Sequence, residues 1–234
     1  MGSDDLFRKR KATELVRKPG LIKKYENSIL IVCEGEKTEP NYFEGFQVSG
    51  VKVKITGIGK SNITLINETI KIWKDFAKDG IYYERLWCIF DRDSFPQQNF
   101  NEAFKTIEIE QNTLNRNFRR KVKREVLIKI AYSNEAFELW YLLHYDYHTS
   151  GISRTRYKAM LTQRMGKKYK KNDSKIYELL QELSVNTNDE KGQRFAINNA
   201  KRLRAFHNCT DPQNQNPCTN IDELVEELNL HLKK

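Results

Sequence analysis

Hydrophobic positions along this chain follow two rhythms, and the alternation between them predicts its secondary structure. Short apolar blocks at Ser28–Cys33, Arg85–Phe90 and Val126–Ala131 read as buried strands, because β-branched and aromatic residues in continuous runs suit a parallel sheet covered on both faces. Val51–Ile55 alternates apolar and basic residues, the period of a strand with one wetter face. Between these blocks the apolar residues recur at helical spacing. One helix is predicted over Glu39–Phe46, with Pro40 where a missing amide is tolerated. A second starts from a cap at Ser61 or Asn62 and runs to Lys78 through Ile63, Ile66, Ile70 and Trp73, and a third covers Phe100–Asn115.

From Ser133 onward the strand rhythm stops. Asn134–His144, Arg154–Met165, Asp173–Leu183, Glu190–Phe206 and Ile221–Leu232 are all helical in pattern, with Asn214–Thr219 as a loop around Pro217. Strands alternating with helices, followed by helices alone, predict an α/β fold: a doubly wound, mainly parallel sheet with a helical C-terminal extension. Three parts follow: a basic leader over residues 1–26, an α/β core over 27–132, and a helical part over 133–234 packed on the core as one globular unit. The 234 residues suffice for a substantial core.

Charge narrows the class of function. The formal net charge is +10, with 41 Lys and Arg against 31 Asp and Glu, and the excess is clustered. The leader carries Arg8 to Lys11, Arg17, Lys18, Lys23 and Lys24; a second cluster holds Arg116, Arg119, Arg120, Lys121, Lys123 and Arg124; a third holds Lys167, Lys168, Lys170 and Lys171 around Tyr169. Such clusters suit a polyanion, since each neutralised phosphate releases counterions; a solvated charged surface is the plainer reading. No apolar run approaches the ~20 residues of a membrane span, and the charged N-terminus lacks a signal region, so a cytoplasmic protein without membrane partners is expected. Cys33 and Cys88 fall in predicted strands as small core residues. Cys209 and Cys218, with His207 nearby, lack the paired spacing of a zinc site, and His144 and His148 read as structural.

The chemistry sits at the ends of strands. Glu34-Gly35-Glu36 follows the first strand and Asp91-Arg92-Asp93 follows the third. In an open α/β sheet ligands bind beyond the carboxyl ends of the strands, so these acids are expected to converge. Hard oxygen donors without His or Cys select Mg²⁺, Mn²⁺ or Ca²⁺ over zinc. An i, i+2 pair in extended backbone places both carboxylates on one side, where one cation holds them together. Glu138 is a third element: its helix is apolar nearly all round, and a carboxylate within it needs a partner or a metal. Gly57-Ile58-Gly59-Lys60-Ser61 lacks the full spacing of a phosphate loop and reads as a turn and helix cap.

Ile31 to Phe43 (IVCEGEKTEPNYF), Trp87 to Asp93 (WCIFDRD), Ser133 to His144 (SNEAFELWYLLH) and Asn216 to Asn220 (NPCTN) resemble the RloB family. That family is usually placed with TOPRIM-type domains, shared by topoisomerases, primases and overcoming-lysogenization-defect nucleases. The resemblance implies a TOPRIM-like core in which Glu34, Asp91 and Asp93 are metal-site residues and Glu138 is the extra acid of a nuclease site. It also implies an anti-phage effector that works beside an ATPase. Glu135-Ala136 departs from the family, which more often shows Pro and a small residue there.

The expectation is a nuclease that hydrolyses phosphodiester bonds of RNA or DNA with Mg²⁺ or Mn²⁺. Glu34, Asp91 and Asp93 would hold the metal, Glu138 would hold a second metal or orient water, and Lys37 would neutralise a phosphate oxygen. Arg92, Arg119, Arg120, Lys167, Lys168, Lys170 and Lys171 would contact the strand. The rival is a non-catalytic nucleic-acid- or partner-binding regulator whose metal site is vestigial.

Overall fold

A computed structural model describes residues 28–60, 62–92, 97–122, 125–187, 191–207 and 212–233. Its centre is a five-stranded sheet in the order β2-β1-β3-β4-β5. Strands β1 (Ile29–Cys33), β2 (Val53–Gly57), β3 (Arg85–Asp91) and β4 (Leu127–Asn134) are mutually parallel, and the two-residue β5 (Cys218–Thr219) joins β4 antiparallel. The α/β class and the helical C-terminal half therefore match the hydrophobic rhythm.

Strand alternation builds two cores. From β1 and β3, Leu30, Val32, Leu86, Cys88 and Phe90 face α2 (Asn62–Lys78) and α3 (Gln97–Val122), meeting Ile66, Trp73, Phe100 and Phe118. Ile29, Ile31, Cys33, Trp87 and Ile89 face the other way. There they meet α1 (Thr38–Glu44), α4 (Glu138–Leu143), α5 (Arg154–Met165), α6 (Ile176–Asn186), α7 (Gln193–Phe206) and α8 (Ile221–Asn229). Burying both faces explains why β1 and β3 are apolar throughout while edge strand β2 is half-exposed.

Several boundaries differ from the sequence pattern. β4 runs through Asn134 rather than stopping at Ala131, because β5 pairs with its last residues, Ser133 with Thr219 and Asn134 with Cys218. The segment Asn214–Thr219 is thus not all loop. The helix expected from Asn134 starts only at Glu138, so Asn134 and Glu135 do not share its face. α3 extends beyond Phe100–Asn115 at both ends, and Asp91 is the last residue of β3 rather than part of a turn. Ser61, Asp93, Lys123, Arg124, Cys209 and the basic leader lie outside the described residues.

Tertiary pairing also accounts for the polar groups nearby. His207 shares a 2.9 Å hydrogen bond with the Pro217 carbonyl, and the Cys218 thiol donates to Gln215.

Candidate active site

The parallel register of β1 and β3 sets Cys33 beside Ile89, so the next residues of both strands emerge together at the carboxyl edge of the sheet. The Glu34 amide donates to the Ile89 carbonyl at 2.8 Å, and in return the Asp91 amide donates to Glu34 Oε2 at 3.0 Å. These two bonds clamp the first acidic loop to the end of β3. Sequence proximity alone could not specify this, because the two acids are 57 residues apart.

A fourth carboxylate joins Glu34, Asp91 and Glu138. Glu39 stands in the first turn of α1, where an acid suits the helix dipole, and its side chain folds back over the loop. A Cβ on Gly35 would lie 2.0 Å from Glu39 Oε2, so any larger residue there would displace that carboxylate. Aromatic packing anchors the two helices: Tyr42 meets Phe137 at 6.0 Å and Trp140 at 6.3 Å, and the Tyr141 hydroxyl donates to the Thr38 carbonyl at 3.1 Å. That packing carries Glu138 to the same edge. The sequence marks Glu39 only as a helix start and not as a site residue, although it lies within the Ile31–Phe43 motif. Its signal was an acid at a helix start directly followed by Pro40 and buried aromatics.

The acids share a field. Burial first, then the charges of Glu39, Glu138 and Glu34, push Asp91 well above the ordinary carboxylate range, with Arg154 opposing. Burial and the Glu138 charge likewise raise Glu39, and burial raises Glu34 against the bond from the Asp91 amide. Glu39 Oε2 is buried with no hydrogen-bond partner. The countercharges are Arg154, whose Nη2 lies 3.7 Å from Asp91 Oδ2, and Lys171, whose Nζ lies 3.8 Å from Glu138 Oε1. The Tyr169 hydroxyl also donates to Glu138 Oε1 at 3.4 Å.

This arrangement has a pH signature. A carboxylate raised in the folded state contributes stability that is fully present below its unfolded pKa and is lost as pH rises through the folded value. The metal-free protein is therefore expected to lose stability as pH climbs from about 4, the ordinary carboxylate value. Asp91→Asn cannot ionise, so its melting temperature should gain on wild type between about pH 4 and about pH 7. A difference in melting temperature that stays constant over this range would contradict the shared field.

Gly57, at the end of β2, supports the same loop. A Cβ there would meet the Gly35 carbonyl at 2.3 Å and Glu36 Cα at 2.6 Å, both backbone atoms that cannot swing aside. Overpacking costs about 1–3 kcal/mol, and in a chain of this size each kcal/mol moves the midpoint about 2–4 °C. Gly57→Ala is thus expected to melt earlier by roughly 2–12 °C. A thermal scan that overlays wild type would show instead that the loop is not seated on β2.

The remaining candidates separate. Lys168, Lys170 and Lys171 line a cavity of about 490 Å³ with Glu138, Arg154, Tyr157, Lys158 and Tyr169. The segment is tied to α1, since Thr38 Oγ1 and Asn41 Nδ2 donate to the side-chain and backbone oxygens of Asn172. Lys167 is exposed beside this cavity without lining it. Lys37 is exposed at the start of α1. Arg92 directs Nε to the Gln213 carbonyl at 3.2 Å, which ties it to the chain before β5. Arg119 and Arg120 lie on α3, on the opposite face of the sheet, and their side chains are outside the described residues.

Does the acid cluster suit a divalent cation? Its donors are hard oxygens, one buried carboxylate oxygen is orphaned, and negative charge is in excess among the four acids and two cations named. These features fit Mg²⁺ or Mn²⁺. Among the described residues no three His, Cys, Asp or Glu side chains stand in a ready-made ligand set. No helix of the described residues is long and apolar enough to cross a membrane.

Searches of the curated proteins and of the solved structures match nothing. The model of the RloB-like protein family matches residues 29–228, a span that begins with β1 and contains every acid of the cluster. The chain belongs to the RloB-like protein family.

Proposed function

We propose that this protein is a metal-dependent nuclease that hydrolyses phosphodiester bonds of RNA or DNA at the carboxyl edge of its sheet. The observation that carries the reading is the convergence of Glu34, Glu39, Asp91 and Glu138 from four separate elements, with the orphaned Glu39 oxygen among them. Three buried acids beside the half-buried Glu34 carry more negative charge than Arg154 and Lys171 offset, a cost that a bound cation would compensate. The order of Glu34, Asp91 and Asp93 is that of a TOPRIM-type site, which the family resemblance implies.

Glu34, Glu39, Asp91 and Asp93 would hold Mg²⁺ or Mn²⁺. The bound ion supplies charge stabilisation at phosphoryl oxygens and lowers the pKa of a bound water. The chain's own groups do the rest. The Asp91 amide fixes the Glu34 carboxylate, so the ligand direction is set before the ion arrives. Glu138, oriented by the Tyr169 hydroxyl, would accept a proton from an attacking water or help hold a second ion. Lys168, Lys170 and Lys171 draw the phosphate backbone toward the acids. Lys167 and Lys37 extend this positive rim. An effector role in anti-phage defence, worked with an ATPase partner, belongs to the same proposal and rests on family membership.

One observation favours the rival. Arg154 and Lys171 already neutralise part of the cluster, as they would in a strand-binding regulator with a vestigial metal site. The deciding experiment incubates purified protein with end-labelled RNA and DNA in Mn²⁺ or EDTA, with and without an ATPase encoded beside it. Mn²⁺-dependent fragments with defined ends support hydrolysis. Intact strands in every lane, despite tight binding, support the regulator.

A further inference from the structure

Two kinds of ion pair coexist in this molecule, and the contrast between them is informative. Arg204 grips Asp222 through two bonds of 2.5 and 2.7 Å, and Asp222 is fully buried. That geometry is a permanent structural clasp. Arg154 and Lys171 pair at 3.7 and 3.8 Å, beyond hydrogen-bond range, and their side chains are 43% and 52% exposed. Their partners, Asp91 and Glu138, are buried. Two long, solvated cations thus reach inward to two buried acids from the cavity side.

That cavity has basic walls on both sides. Arg154 and Lys158 are one helical turn apart on α5, and Lys168, Lys170 and Lys171 line the facing segment, which is pinned to α1 through Asn172. Glu138 also lines the cavity, so the basic cleft opens directly onto the acid cluster. A polyanion such as a nucleic-acid strand suits a cleft with such walls, and a cation suits the acids beyond it. Both demands cannot be met while Arg154 and Lys171 rest on the acids.

We propose that Arg154 and Lys171 are exchangeable counter-ions: they hold Asp91 and Glu138 in the metal-free protein, and when a divalent cation takes those acids they turn outward onto the phosphates of a strand in the cleft. This rests on the metal-dependent reading above and deepens it. Metal and strand are then coupled, because each ion that enters frees a cation for the phosphate. Both residues are positioning residues, since they set the charge available to the acids and to the strand. The exchange needs no movement of the fold, since both side chains are long, half-exposed and flexible.

The coupling gives opposite signs in two equilibria. Mn²⁺ binding is measured by calorimetry without nucleic acid. Strand binding is measured by fluorescence anisotropy of labelled single-stranded RNA and DNA, in EDTA and in Ca²⁺. The Arg154→Gln/Lys171→Gln variant is expected to bind Mn²⁺ about fivefold more tightly than wild type, the effect of removing two half-exposed competing pairs. In EDTA its strand affinity should fall less than in Ca²⁺, since without metal both cations rest on the acids. In Ca²⁺ it should lack the gain in affinity that wild type shows, and its salt slope should be lower by about one unit. Arg154→Lys/Lys171→Arg should restore both properties.

A merely structural role would weaken metal and strand binding together. Mn²⁺ binding unchanged or weaker in the double variant overturns the exchange, as does an undiminished Ca²⁺-dependent gain. A wild type that binds no Mn²⁺ overturns the underlying metal reading itself.

Discussion

Asp91→Ala is expected to lose Mn²⁺-dependent strand cleavage by about 10³-fold or more, and to melt no earlier than wild type in metal-free buffer. The first half follows from position. Asp91 ends β3 with its carboxylate among Glu34, Glu39 and Glu138, so removing it opens the centre of the cluster rather than its rim. Charge stabilisation by a bound ion is worth several kcal/mol, and each 1.4 kcal/mol is about tenfold in rate. The second half follows from the desolvation of the Asp91 carboxylate and its repulsion by Glu39, Glu138 and Glu34, which Arg154 only partly opposes. The Asp91 amide still donates to Glu34 in the variant, so the loop stays clamped. Rate and melting temperature should therefore move independently. A variant that keeps a tenth of the metal-dependent activity would falsify the assignment of Asp91 to the metal.

The largest expected loss of stability lies far from the acids, at Arg204. Its guanidinium spans α7, β5 and α8: Nη1 donates to the Thr219 carbonyl at 2.6 Å and, with Nη2, grips both oxygens of Asp222. Removing one partner of a buried pair leaves the other charge uncompensated, at a cost of about 3–5 kcal/mol. Arg204→Ala should thus lower the melting midpoint by roughly 6–20 °C. Because β5 holds the end of β4, the same variant should loosen the edge from which Asn134 and Glu135 lead toward α4. Replacing both partners by apolar residues, as in Arg204→Met/Asp222→Leu, should recover much of the loss, since no buried charge is then stranded. Denaturation curves for the two variants and wild type test this, and an Arg204→Ala variant as stable as wild type would refute it.

The two predictions differ in how far the sequence could have led to them. Glu34, Asp91 and Glu138 were legible because each breaks a local rule: an acid ending a buried strand, or an acid in an otherwise apolar helix. Glu39 was not, since an acid in a first helical turn is locally unremarkable and only the packing of Tyr42 against α4 turns it inward. Arg154 and Lys158 fall in a segment legible only as helical, and the segment across the cavity makes them one wall of a cleft. Arg92 read as a phosphate contact, yet it also ties β3 to Gln213. β5 was missed because two residues carry no period, and its pairing partners lie far off in sequence, Thr219 being 86 positions from Ser133.

By itself the sequence determined the alternation of strands and helices, the double burial of β1 and β3, and the family to which the chain belongs. Those properties are written in local periodicity and in contiguous motifs, where neighbouring residues carry the whole signal. Only the tertiary structure decided that Glu39 completes the cluster, that β5 extends the sheet, and that Arg154 and Lys171 rest on the acids. The reason is range. Which charges meet depends on strand order, register and the packing of helices distant in sequence, and none of these leaves a mark on the residues beside them.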